Sequence, residues 1–239
     1  MEVLAVVWAP VRILRDAAVR KRVLAAFVVT ALYAALGLAG SVVAVLGGVT
    51  RAQFDGQPPG LPPGTLEYIR EAIEVSLVVS SVLTPFALWI SVSLLMHFVT
   101  RYFGGGARVV IGTSETNATP ASDGSLAATL AAVGISGVPL VISSAIGLVL
   151  SGLRVTIGAQ STAGIVLGYV AGLLGLGVLV WYVVLVVIGA AQARNLGYAE
   201  SAGSCAVSCV GCAGLIILVV IVIGLGAALL IGPAISPSG

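Results

Sequence analysis

The chemistry-bearing residues are few and far apart. The single histidine, His97, sits in MHFVTRYFGGG, residues 96–106, at the end of a long apolar run. A catalytic or metal-ligating histidine needs a carboxylate, a second histidine, a cysteine or a nucleophile beside it. The neighbouring apolar runs supply no acid, and the chain has no second histidine. Its spacing, three residues before Thr100 and four before Arg101, places His97 at a membrane boundary, where water or a headgroup satisfies it. Gly104, Gly105 and Gly106 follow, but GGGARVVIGTS lacks the Lys-Ser/Thr of a phosphate cradle. Those glycines read as a turn. Cys205, Cys209 and Cys212 fall at i, i+4 and i+7, one stripe of a helix. A single straight helix cannot wrap an ion, so the stripe reads as a packing seam. The expectation is no catalytic residue, no cofactor and no metal site.

The elements that must carry these residues follow from composition. The 239 residues are 59% hydrophobic and 8% charged, against roughly 25% charged in soluble domains. So few charges would leave a soluble protein with large exposed apolar patches, whereas lipid covers such surfaces at no cost. No basic stretch interleaves with aromatics away from the membrane flanks, so no nucleic-acid partner is expected. Arg12, Arg15, Arg20, Lys21 and Arg22 precede the first apolar run, which continues from Val23 to about Val49. A signal-peptide core is roughly 7–15 residues, so this run reads as a retained span.

Uncharged blocks of about 20 residues predict five spans, at about 23–46, 75–98, 126–153, 164–192 and 206–231. The predicted fold class is all-α, a polytopic transmembrane bundle of five helices. It is preceded by a basic amphipathic segment at 1–22 and followed by a short extracytoplasmic tail at 232–239. With the N-terminus inside, the inner segments carry eight basic residues and the outer segments three, Arg51, Arg70 and Arg154. That asymmetry predicts a cytoplasmic N-terminus and an extracytoplasmic C-terminus in the cell membrane. The outer stretch LEYIREAIE has helical charge spacing and should run into the second span.

In MEVLAVVWAPVRILRDAAVRKR, apolar positions alternate with basic ones and Pro10 breaks the segment. It reads either as the flank of the first span or as an interfacial helix on anionic lipid. Trp8, Arg12, Arg15, Arg20, Lys21, Arg22, His97 and Arg101 are the lipid-contact candidates. Helix-packing candidates are the small-residue rows Ser143, Gly147, Ser151 and Gly164, Gly168, Gly172, with the cysteine stripe, because helices in lipid associate through close backbone approach. These rows should pack within the bundle, one of them alternatively in a homo-oligomer. Pro85 and Pro139, inside the second and third spans, should kink them, with Thr84 and Ser136 near the freed carbonyls.

The order LLMHFVTRYFGG, GISGVPLVI and WYVVLVVIGAAQARNLGYAESAGSCAV resembles the Yip1-domain family. Its members carry a histidine near the end of a span, then Gly-Gly, a proline in the next span, and a Trp-x-x-x-Leu-x-x-x-Gly segment. Those positions here are His97, Gly104 and Gly105, Pro139, and Trp181, Leu185 and Gly189. WAPVRIL is similar to the family's Pro-basic segment before the first span. The resemblance implies five spans, a cytoplasmic N-terminus and a role in membrane organisation, with small GTPases as partners of eukaryotic members. The acidic N-terminal motif of those members is missing here, and the Ser/Thr-rich inner loop is longer. Ten arginines to one lysine look prokaryotic, so no GTPase partner is carried over.

The function expected is non-enzymatic: a membrane organiser or scaffold acting through helix packing and lipid contact, with membrane lipids as partners. The alternative is a transporter or channel for a small neutral or lipid-like solute. A polar cavity reaching the middle of the bundle would favour transport. A centre filled by Gly, Ala and Leu would favour the organiser.

Overall fold

A computed structural model describes residues 6–48, 65–102, 122–158, 161–208 and 210–211. All regular structure among them is helical. The elements are α1 (Pro10–Val19), α2 (Val23–Leu46), α3 (Thr65–Tyr102), α4 (Leu126–Ile135), α5 (Val138–Ile157) and α6 (Thr162–Arg194). A further helix, α7, starts at Tyr198 and is described through residue 208. Four stretches are long and apolar enough to cross a membrane: α2, Glu67–Tyr102, Leu126–Ile157 and α6. The chain is therefore a multi-pass helical membrane protein. Most of the predicted fifth span, the tail, the Gly104–Gly106 turn, Cys209 and Cys212 lie outside the described residues.

Helices are what this sequence must form in lipid, because every backbone N–H and C=O there needs an internal partner. α3 shows the consequence. Its 38 residues join LEYIREAIE and the second span into one rod of about 57 Å. It runs through the buried Pro85 without interruption.

Two expectations are corrected. The third span is not one kinked helix: Ser136 and Gly137 break it into α4 and α5, and Pro139 stands in the first turn of α5. The missing N–H of a proline costs nothing there, since the first turn has no intrahelical acceptors for its N–H groups. Pro10 likewise begins α1 rather than breaking a segment. α5 alone, with 20 residues, measures about 30 Å, the thickness of a hydrocarbon core. α4 thus extends beyond a full-length span.

α4 is the centre of the molecule. It packs against α1, α2, α3 and α6, and seven of its ten residues are buried. The small side chains of LAATLAAVGI are the reason: Ala, Thr and Gly let four helices approach one axis. One apolar cluster joins Leu14 and Ala17 of α1 to Ala26 and Val29 of α2, Ile135, Val138 and Leu185. A second joins Ala18, Ala128, Ala132 and Ala193. The third, Met96, Val186, Ala190 and Cys205, fastens α3 and α6 to α7.

Candidate functional site at the basic end

All of that packing lies toward the end of the bundle that holds Arg20, Lys21, Arg22, Arg101 and Arg194. Three chain reversals meet there, at backbone positions with positive φ: Lys21 at 48°, Gly124 at 66° and Asn195 at 53°. Glycine suits Gly124 for a second reason. A Cβ added there would lie 3.2 Å from Nη1 of Arg194.

Side chains tie the three reversals together. Nζ of Lys21 lies 2.7 Å from Oδ2 of Asp123. Oδ1 of Asp123 accepts from the Ser125 N–H at 3.0 Å, and Oγ of Ser125 accepts from the Ala128 N–H at 3.3 Å, capping α4. Arg194, buried at the last position of α6, donates through Nη1 to the Gly124 carbonyl. Nδ2 of Asn195 donates to the Ser122 carbonyl at 2.8 Å. The hydrogen bond from Lys21, then those from Ser125, hold the Asp123 carboxyl down at about 2. Asp123 stays charged through the physiological range.

The break in the third span is held by the same kind of contact. Oγ of Ser136 lies 2.9 Å from the Ala132 carbonyl oxygen and 3.1 Å from that of Leu185, its single proton shared between the two. Trp89 of α3 donates through Nε1 to the Leu130 carbonyl at 2.9 Å. A Cβ at Gly134 would clash with Ala26 and lie 2.6 Å from that indole nitrogen. A Cβ at Gly189 would lie 3.1 Å from Oγ of Ser136. These glycines make the closest interhelical approaches at the break. Ser136 stood among the residues expected near a freed carbonyl, whereas Gly134, Trp89 and the Asp123–Arg194 junction carried no separate expectation. The run GISGVP, three small residues and a proline inside an apolar stretch, is the signal that marks the break.

The candidate residues separate accordingly. α1 turns Leu14, Ala17 and Ala18 into the protein. The turn before it leaves Trp8 87% exposed, and its other face leaves Arg12 exposed and Arg15 half-buried. Asp16 pairs with Arg20 at 2.7 Å and Arg22 at 2.8 Å. Among the described residues Arg12, Arg15 and Arg101 make no ion pair. His97 is half-buried near the end of α3, edge-on to Phe98, with Arg101 and Arg194 near enough to act on it electrostatically. Among the described residues no three of His, Cys, Asp and Glu gather as metal ligands would.

The small-residue rows lie elsewhere. Ser143, Gly147 and Ser151 are half-buried on α5, where a Cβ at Gly147 would meet nothing within 4 Å. Gly164 is buried, Gly168 faces the Arg154 guanidinium, and Gly172 is open. Cys205 is buried against α3 and α6.

The model of the Yip1 domain matches residues 4–221. The chain belongs to the Yip1-domain family. No curated protein and no solved structure matches it. In this Yip1-domain protein, several positions that carried the resemblance collect at the helix break. Pro139 opens α5, Leu185 is fully buried beneath it, and Gly189 lies against Ser136. Trp181 is partly exposed one turn away, and His97 lies in the last turns of α3.

Proposed function

We propose that this Yip1-domain protein is a non-enzymatic membrane organiser, acting through helix packing and through lipid contact at its basic end. The observation that carries this reading is the way α1 is mounted. Its apolar face is clamped on α4 and α6, while Trp8 in the turn before it and Arg12 on its other face are exposed. An indole beside arginines suits the headgroup layer, and each cation near an anionic surface contributes about 1 kcal/mol of attraction. The filled centre around Ala132, Ile135 and Leu185 supports the same reading. The positive-inside asymmetry supports a cell-membrane protein with this end, and the N-terminus, in the cytoplasm. Lipids and a second copy of the chain are the proposed partners.

One observation favours transport of a small neutral or lipid-like solute as a second reading. A cavity of about 140 Å³ lies at the break, between α2, α3, α4, α5 and α6. Tyr33, Trp89 and Tyr182 line it, with Thr30 as a hydroxyl.

Extraction in native lipid followed by mass spectrometry separates the two. The organiser reading expects a defined oligomer or retained lipid. A bare monomer, together with solute flux in reconstituted vesicles, would overturn it.

A further inference from the structure

An apolar groove of about 540 Å³ runs along the outside of the bundle between α2 and α5. Leu24, Val28 and Leu32 form one wall at four-residue spacing, and Val138, Val141 and Ile142 form the other. The floor is Val29, which is buried in the main apolar cluster. From Leu24 to Leu32 the wall measures about 12 Å along the helix, a length suited to part of one acyl chain.

What distinguishes this groove from an ordinary lipid-facing surface is its mouth. Leu24 stands two residues beyond the turn Arg20-Lys21-Arg22, in the first turn of α2, which holds no acidic residue. The turn and α1 together hold five cations, Arg12, Arg15, Arg20, Lys21 and Arg22. Among the described residues, Asp16 pairs with Arg20 and Arg22, and Asp123 with Lys21. The side chains of Arg20 and Lys21 remain 66% and 48% exposed in their ion pairs. A guanidinium has five N–H donors and an ammonium three, so each keeps donors for a phosphate.

We infer that the groove is a binding site for one anionic phospholipid, an acyl chain lying between α2 and α5 and the phosphate held at the Arg20–Arg22 turn. This rests on the lipid-contact reading above and narrows it to one groove and one lipid class. The lipid would cover the apolar walls and supply acceptors for the exposed donors of Arg20 and Lys21.

The test uses the full chain in nanodiscs of equal phosphatidylglycerol and phosphatidylcholine, with retained lipids counted by native mass spectrometry. One phosphatidylglycerol per chain is expected to survive delipidation. Val28→Trp, which fills the groove, should abolish retention, while Leu173→Trp on the exposed face of α6 should leave it intact. Leu24→Trp, at the open mouth, gives the same loss where Val28→Trp fails to fold. Arg20→Gln should lower the preference for phosphatidylglycerol about fivefold, the factor that about 1 kcal/mol represents. Retention unchanged by both groove variants would overturn the site, and equal retention of the two lipids would overturn the headgroup assignment. The oligomeric state appears in the same spectra. A defined oligomer without this lipid would overturn the groove while leaving the organiser reading standing.

Discussion

α4 and the first two-thirds of α6 are both uncharged apolar helices, yet they live in opposite surroundings. α4 is buried by four neighbours, while Leu173, Leu176 and Val180 of α6 are more than half exposed. Hydrophobicity does not separate them. Side-chain size does: α4 is built mostly of Ala, Thr and Gly, and α6 there alternates glycine with Leu, Val and Tyr. In lipid no hydrophobic force drives one apolar helix against another, so close approach decides which faces meet protein. Large side chains keep a helix at a distance and leave it to the acyl chains.

Matched substitutions in the two regions test that difference. Leu14→Ala, in the cluster where α1 meets α4, should cost about 2–5 kcal/mol through the cavity it leaves. Leu173→Ala, 71% exposed, should change stability by less than about 0.5 kcal/mol. Thermal unfolding in detergent reads both, and equal losses would mean that α6 is as tightly packed as α4. Glycines give the next contrast. Gly134→Ala forces a methyl against Ala26 and Trp89 and should cost about 1–3 kcal/mol, whereas Gly172→Ala meets nothing and should be neutral or slightly stabilising.

The smallest effect concerns the junction of turns. The folded Asp123 carboxyl lies at about 2, below its ordinary 3.8. Its pairing with Lys21 therefore stabilises the fold fully above about pH 4. That contribution is lost as pH falls toward 2. Both groups are half exposed, so its size is about 0–1 kcal/mol. The difference between the parent and Asp123→Asn, followed by unfolding from pH 6 to pH 2, should shrink across that window. A constant difference would show that the pair contributes nothing.

Much of this was legible from the chain. Uncharged length alone gave α2, α3 and α6 as spans, because only a helix satisfies its own backbone in lipid. His97, ending α3 beside Arg101, falls where charge reappears. The Yip1-domain resemblance lies in His97, Gly104, Gly105, Pro139, Trp181, Leu185 and Gly189, a pattern of residue types that can be read in order along the chain. Contact partners were less legible. Repeating small residues marked Gly147 and Gly172, but four-residue spacing says only that a face is smooth, not that another helix reaches it. Gly134 and Gly189 belong to no regular row and make the close contacts at the break.

Sequence by itself determined that this is a multi-pass helical membrane protein with a basic N-terminal flank, since transfer into lipid depends on each segment's own composition. Only the tertiary structure decided that the third span breaks at Ser136–Gly137. It alone decided that α1 is clamped on α4 and that Lys21, Asp123 and Arg194 join three turns. Each of those depends on atoms far apart in the chain: Ser136 reaches a carbonyl 49 residues away and Arg194 one 70 residues away. No local pattern encodes such a distance.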